Sequence, residues 1–370
     1  MRILFSGLLG LPFLLVAALP LISVYVFVSF YFALLLVFFR SSWLSFSLYE
    51  VAILLVSGIS VISWYLNDGG NTTVSSLYLL SSVALILVGR FCANRFNRVV
   101  VGFFYVAGAA AASIMLVLDD SIRASLAGLN ANYVAYCIAM AGAVVFALNA
   151  EIAKLTGSRY RVFRFFGSVV FMGLFFVGVL KTGSRGAVAS LLFVTLLWLF
   201  MYFRKKPVFG LGFIAFAAVL AYELYFELPD YIQNRLVYGD DSSGDISSGR
   251  YDAWAEAFDF GIGNIFFGIG PGNFENLSLS KISVHNSFLS VFAEIGFLGF
   301  FLYLLCLFVF FVKLFRYSRL NKNSLGVVLL ISWLPIALTG VWEVSFASWL
   351  LFGWFSSYLI ENKSLARNGC

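Results

Sequence analysis

The chain has 370 residues, of which 62% are hydrophobic, 19% aromatic and only 11% charged, with a formal net charge of +6. Such a composition excludes a soluble domain of ordinary size and points to a polytopic membrane protein. The positive balance is not a nucleic-acid signature, because the basic residues are scattered between apolar stretches rather than gathered on one segment. The four cysteines, Cys92, Cys137, Cys306 and Cys370, suggest neither a disulfide framework nor a metal site.

Taken in chain order, the apolar runs predict about twelve transmembrane helices. They fall at 3–19, 21–39, 43–66, 74–89, 99–118, 131–150, 162–180, 186–203, 208–226, 286–312, 325–340 and 342–360. About 20 residues at about 1.5 Å each cross a hydrocarbon core of about 30 Å. The first run, broken near Pro20, reads as two crossings rather than a removed leader. The predicted organisation is therefore residues 1–226 with spans one to nine, a hydrophilic loop over 227–285, and residues 286–370 with spans ten to twelve and a polar tail.

Basic residues test this map, since they favour the cytoplasmic side. Of the 24 Lys and Arg, only Arg123, Lys181, Arg185, Arg235, Arg250 and Lys281 lie on the side opposite the termini; the other 18 lie with the termini. Both termini are thus expected to be cytoplasmic. The long loop between spans nine and ten is expected on the outer face. No Walker-type phosphate loop is present, so any transfer chemistry requires a substrate already activated.

The exceptional outer cations are the informative ones. Arg185 lies in Lys181-Thr182-Gly183-Ser184-Arg185-Gly186, at the start of a span. A cation there faces the positive end of the helix dipole, which is unfavourable unless an anion is near. The same helix end offers unpaired backbone N–H groups, with Ser184 as a cap. On its own residues, Arg185 is either a phosphate ligand or an arginine snorkelling to the interface. Arg250 opens Arg250-Tyr251-Asp252-Ala253-Trp254-Ala255-Glu256-Ala257-Phe258, a short amphipathic helix with Ser247 and Ser248 as candidate caps and Ala253, Trp254, Ala257 and Phe258 as its apolar face. A glycine-rich turn follows, Gly268-Ile269-Gly270-Pro271-Gly272-Asn273-Phe274. It is either a tight turn or a weak phosphate cradle.

His285 is the one histidine, placed where the loop meets span ten. A helix N-terminus favours the neutral imidazole, the form a general base needs. On an unbroken helix, Gly296 and Gly299 lie within about 20° and 40° of His285's direction, which predicts a groove below it for a neighbouring helix or a lipid chain. Glu294 falls on the opposite face, as an inter-helix hydrogen-bonding group.

Together these pieces resemble the bacterial O-antigen ligase and polymerase superfamily. The likeness rests on the span count, the long loop after span nine, and three motifs in order: Thr182-Gly183-Ser184-Arg185-Gly186; Arg250-Tyr251-Asp252-Ala253-Trp254 with the glycine turn; and His285-Asn286, nine residues, Gly296, two residues, Gly299. The last fits the ligase pattern. The resemblance implies an all-α, GT-C-like architecture with one periplasmic loop containing short amphipathic helices, in the bacterial inner membrane, with the active site facing the periplasm. It implies a metal-independent, inverting glycosyltransferase with no cofactor, whose partners are membrane lipids and its two substrates. The donor would be O-antigen on undecaprenyl diphosphate, and the acceptor a sugar hydroxyl of lipid A-core. His285 would be the base, and Arg185 and Arg250 the diphosphate ligands. Lys181, Ser184, Gly270, Gly272, Asn286, Gly296 and Gly299 would be secondary substrate contacts. The nearest alternative is the polymerase, which extends the carrier-linked chain. A transporter or flippase for the lipid-linked sugar is a different class, but it would place charges at the midplane and often show inverted repeats.

Overall fold

A computed structural model of the chain describes residues 14, 46–67, 72–94, 98–119, 130–238 and 249–368. The predicted spans at 3–19 and 21–39, Leu14 apart, lie outside them, as do Ser247 and Ser248. Every regular element among the described residues is a helix. In order they are α1 (Leu48–Leu66), α2 (Thr72–Asn94), α3 (Arg98–Leu118), α4 (Ala131–Thr156), α5 (Arg161–Thr182), α6 (Arg185–Phe203), α7 (Pro207–Phe226), α8 (Asp230–Tyr238), α9 (Arg250–Gly263), α10 (Phe274–Leu277), α11 (Ser287–Leu320), α12 (Leu325–Thr339) and α13 (Phe346–Asn368).

Seven of these helices, α1, α3, α4, α5, α6, α7 and α11, are long and apolar enough to cross a membrane. The predicted spans at 43–66, 99–118, 131–150, 162–180, 186–203, 208–226 and 286–312 each fall on one of them. The spans at 74–89, 325–340 and 342–360 fall on α2, α12 and α13. The last begins later than expected, because residues 340–345 form a turn instead of continuing α12.

At the centre is α4, whose Ala- and Gly-rich run buries nearly its whole apolar length. Small side chains let backbones approach closely where lipid supplies no hydrophobic drive between helices. Accordingly α4 touches α3, α5, α6 and α12. The C-terminal α13 packs along α2 and against α11. Its Phe352 ring lies 4.6 Å from that of Phe310 on α11, in a cluster that includes Phe311 and Trp333.

The longest element, α11, departs from expectation. It runs 34 residues to Leu320, and it is two helices joined at Gly296, whose φ is 75° and ψ −176°. Such a break frees backbone groups that cannot be left bare within a membrane, where each unpaired group costs several kcal/mol. The glycine-rich turn supplies the partners. Ile269 N–H donates to Ala293 O at 3.0 Å and Gly270 N–H to Glu294 O at 3.0 Å, while Phe297 N–H donates to Ile265 O at 2.6 Å. From α1, Ser63 Oγ donates to Glu294 O at 2.9 Å, and from the residue that follows α1, Asn67 Nδ2 donates to Gly268 O at 3.2 Å. The turn needs its glycines: Gly268, Gly270 and Gly272 all have left-handed φ, at 70°, 96° and 72°.

Two expectations are corrected here. The helical wheel drawn through 285, 296 and 299 does not hold, since His285 precedes the helix and Gly296 breaks it. The groove beneath the histidine is closed. A Cβ on Gly296 would stand 2.6 Å from backbone atoms of Phe266 and Gly268, and one on Gly299 would stand 2.5 Å from Ile295. Glu294 is buried, and its carboxylate faces the backbone N–H groups of Gly272 in the turn and of Phe274, the first residue of α10.

Gly296→Ala is expected to lower the thermal midpoint of the detergent-purified protein, with a cost of about 2 kcal/mol or more from strain and displaced backbone. Gly58→Ala, on α1 with nothing within 4 Å of its new Cβ, is the matched control and should leave the midpoint unchanged or slightly raised.

Candidate active site

Four segments of the chain meet around a small cleft. Its lining residues are Asn132 and Tyr136 of α4, Gly183, Ser184, Arg185 and Gly186 at the α5–α6 turn, Arg235 of α8, and Arg250 of α9. Three of these described residues are arginines.

The α5–α6 turn is built by local rules. α5 ends on Gly183 in the left-handed conformation, φ 65°, with its N–H bonded to Leu180 O at 2.9 Å. That is a common way to stop a helix with glycine. Thr182 Oγ1 donates to Val179 O and accepts from Ser184 N–H at 3.2 Å, so one hydroxyl holds both sides of the turn. Ser184 then occupies the N-cap of α6, but its side chain makes no capping hydrogen bond. The expected cap is a cap in position only. Arg185 and Gly186 form the first turn of α6, where an α-helix leaves N–H groups without an intrahelical partner. Gly186 is required by packing: a Cβ there would stand 3.0 Å from Cβ of Thr339 at the end of α12.

Arg250 is the first residue of α9, after Gly249 at φ 74°. The N-cap is therefore this glycine, with no side-chain cap, not Ser247 or Ser248. α9 is docked along α11 through Ala253, Ala257 and Gly261, all buried, and a Cβ on Gly261 would meet the Phe292 ring. The expected apolar face is divided, because Phe258 remains 53% exposed while Ala253 and Ala257 are fully buried. One turn after Arg250, Trp254 Nε1 donates to Val284 O at 2.8 Å. This bond ties the arginine helix to the residue just before His285.

His285 has a φ of 48°, a conformation uncommon outside glycine. It sits one position before the N-cap of α11. Asn286 is that cap, and its Oδ1 accepts from Phe288 N–H at 3.0 Å and Leu289 N–H at 3.2 Å. Ser287 Oγ donates to Gly340 O at 3.0 Å and accepts from Trp342 N–H at 2.8 Å. Gly340 in turn lies against Tyr136, whose hydroxyl donates to Thr339 O at 2.9 Å. His285 is not a lining residue of the cleft. Its two flanks are nevertheless anchored to elements that are, through Trp254 on one side and through Ser287 and Gly340 to Tyr136 on the other.

Of the sequence-predicted residues, the structure brings Arg185, Arg250 and Ser184 into one cleft. Lys181, on the last turn of α5, does not line it. Gly270, Gly272, Gly296 and Gly299 do not line it either; they serve the turn and the helix break, and Asn286 serves as a cap. Arg235, Asn132 and Tyr136 line the cleft and were not singled out by sequence. Arg235 carried a signal, being one of six cations against the topology bias. Tyr136 carried none.

Residues 168–304 match a family model described as O-Antigen ligase. The matched segment runs from α5 into α11 and contains Arg185, Arg235, Arg250 and His285. Comparison with curated proteins finds no match.

The two cap residues differ in what they bond, and so should their removal. Asn286→Ala is expected to cost about 1 kcal/mol, as for other N-caps that bond their helix. Ser184→Ala should change stability by less than about 0.5 kcal/mol. Thermal unfolding in detergent compares the two directly.

Proposed function

We propose that this chain, whose residues 168–304 match an O-antigen ligase family model, belongs to that family and is a membrane glycosyltransferase acting on a lipid diphosphate donor. The finer reading is an O-antigen ligase: it moves polysaccharide from undecaprenyl diphosphate to a sugar hydroxyl of lipid A-core at the periplasmic face of the inner membrane. The single observation that carries this is the convergence of Arg185 and Arg250, from distant parts of the chain, on one cleft at the N-terminus of α6.

The chemistry follows from those groups. The acceptor hydroxyl oxygen attacks the anomeric carbon as the bond to the diphosphate oxygen breaks. The electron pair leaves on the diphosphate, and His285 takes the hydroxyl proton. Displacement from the opposite face inverts the anomeric centre. Arg185 and Arg250 meet the charge developing on the leaving group through charge-assisted, bidentate hydrogen bonds. The helix dipole of α6 adds to them. Stabilisation by guanidinium groups lets the reading stand without a metal, and the donor's own diphosphate removes any need for a nucleotide. His285 is held rigidly, between the Trp254–Val284 bond and the Asn286 cap, as a base must be.

The spacing of His285, Asn286, Gly296 and Gly299 favours ligase over polymerase, because the resemblance ties that spacing to ligases. A strain lacking the gene separates the two. Lipid A-core without any antigen, with long polymer accumulating on the carrier, supports the ligase. Lipid A-core bearing a single repeat unit identifies a polymerase instead.

With a purified donor and acceptor, His285→Ala is expected to reduce transfer by about 100-fold or more. Arg185→Gln and Arg250→Gln should each reduce it by about 100- to 1,000-fold. Membrane insertion, read by protease protection, should be unchanged in all three. Near-normal transfer by His285→Ala would remove the base assignment.

A further inference from the structure

We propose that Arg235 is a third phosphate-binding residue of this cleft, and that its presence suits the site to a diphosphate rather than a single phosphate group. The inference rests on the transfer reading above and adds a ligand to it.

Three observations carry it. First, Arg235 lines the same cleft as Arg185, Arg250 and the first turn of α6. Second, it is fixed in place. Only 6% of its surface is exposed, and Nε donates to Gly183 O at 3.3 Å. A Cβ on Gly183 would stand 2.7 Å from Cδ of Arg235, so the arginine stem lies directly on the turn that presents Ser184 and Arg185. Third, α8 is held there by packing independent of the cleft. Ile232 is fully buried in a small cluster with Leu180 of α5 and Leu228, and Gln233 Nε2 donates to Leu228 O at 2.7 Å.

The physical consequence concerns charge. An anion with two phosphate groups presents acceptor oxygens to more of these guanidinium groups at once than an anion with a single group does. When the glycosidic bond breaks, the diphosphate gains a further negative charge. A fixed cation aimed at it then acts most strongly in the transition state. With Nε engaged by Gly183 O, Arg235 meets the ligand through its terminal Nη atoms. A lysine cannot both keep the Gly183 contact and offer a planar pair of donors.

The test uses the full-length, detergent-purified protein, with inorganic pyrophosphate and inorganic phosphate as probes in titration calorimetry and the transfer assay run on the same samples. Wild type should bind pyrophosphate more tightly than phosphate. Arg235→Gln should weaken pyrophosphate binding by about 10- to 100-fold and lower kcat for transfer, with a smaller effect on phosphate. Arg235→Lys should recover binding only in part. It also serves if the glutamine variant fails to fold, as judged by thermal unfolding. Loss of pyrophosphate binding in Arg185→Gln but not in either Arg235 variant would overturn the inference while leaving the transfer reading intact. Unchanged binding in both Arg185→Gln and Arg250→Gln would overturn the transfer reading itself. A wild type that binds the two anions equally would also reject the proposed diphosphate preference.

Discussion

A backbone group inside a membrane must find a partner within the protein, and the packing around the break in α11 is organised by that requirement. α11 breaks at Gly296, and the break leaves the carbonyls of Ala293 and Glu294 and the N–H of Phe297 in need of partners. The segment from Ile265 to Phe274 provides them, and Ser63 of α1 and Asn67, the residue that follows α1, lock it in place. Glu294 reinforces the arrangement, its carboxylate facing the N–H groups of Gly272 and Phe274. Once this strap is fixed, α9 has a defined seat along α11. The segment that returns to His285 then has a defined start.

The site inherits its geometry from that seat. Arg250 is set by the docking of α9 through a stripe of alanines and a glycine, while Arg185 is set by the tight turn between α5 and α6. The Trp254–Val284 bond joins the arginine helix to the histidine segment. The Ser287 hydroxyl joins that segment to the turn after α12, next to Tyr136. Arg185, Arg250 and His285 therefore each stand on a helix terminus or directly beside one. Such positions are rigid, and they present side chains together with the backbone N–H groups of a first helical turn.

The residues of the His285 motif separate by role. Asn286 caps α11, Gly296 supplies the positive φ of the break, and Gly299 admits close packing against Ile295. The spacing that resembles the ligase pattern is thus accounted for by scaffold physics: a cap, a break ten residues on, and a close approach three residues after that. The glycine turn sorts in the same way. Its glycines answer left-handed backbone angles and contact with α11, which favours the tight-turn reading over the phosphate cradle.

The sequence by itself determined the class of molecule and the identity of the charged groups. Apolar runs marked most of the long helices, since burial in lipid demands them locally. The positive-inside asymmetry drew out Arg185 and Arg250 because a misplaced cation is visible in one dimension. It also contained Arg235, without ranking it. Tertiary structure alone decided that these three arginines share a cleft, because α8 and α9 dock through packing that periodicity does not reveal. It alone decided that Gly296 breaks its helix, since an apolar run with one glycine reads the same whether straight or broken. Hydrogen-bond partners for that break come from 24 to 32 residues upstream and from α1, and only folding brings them within reach.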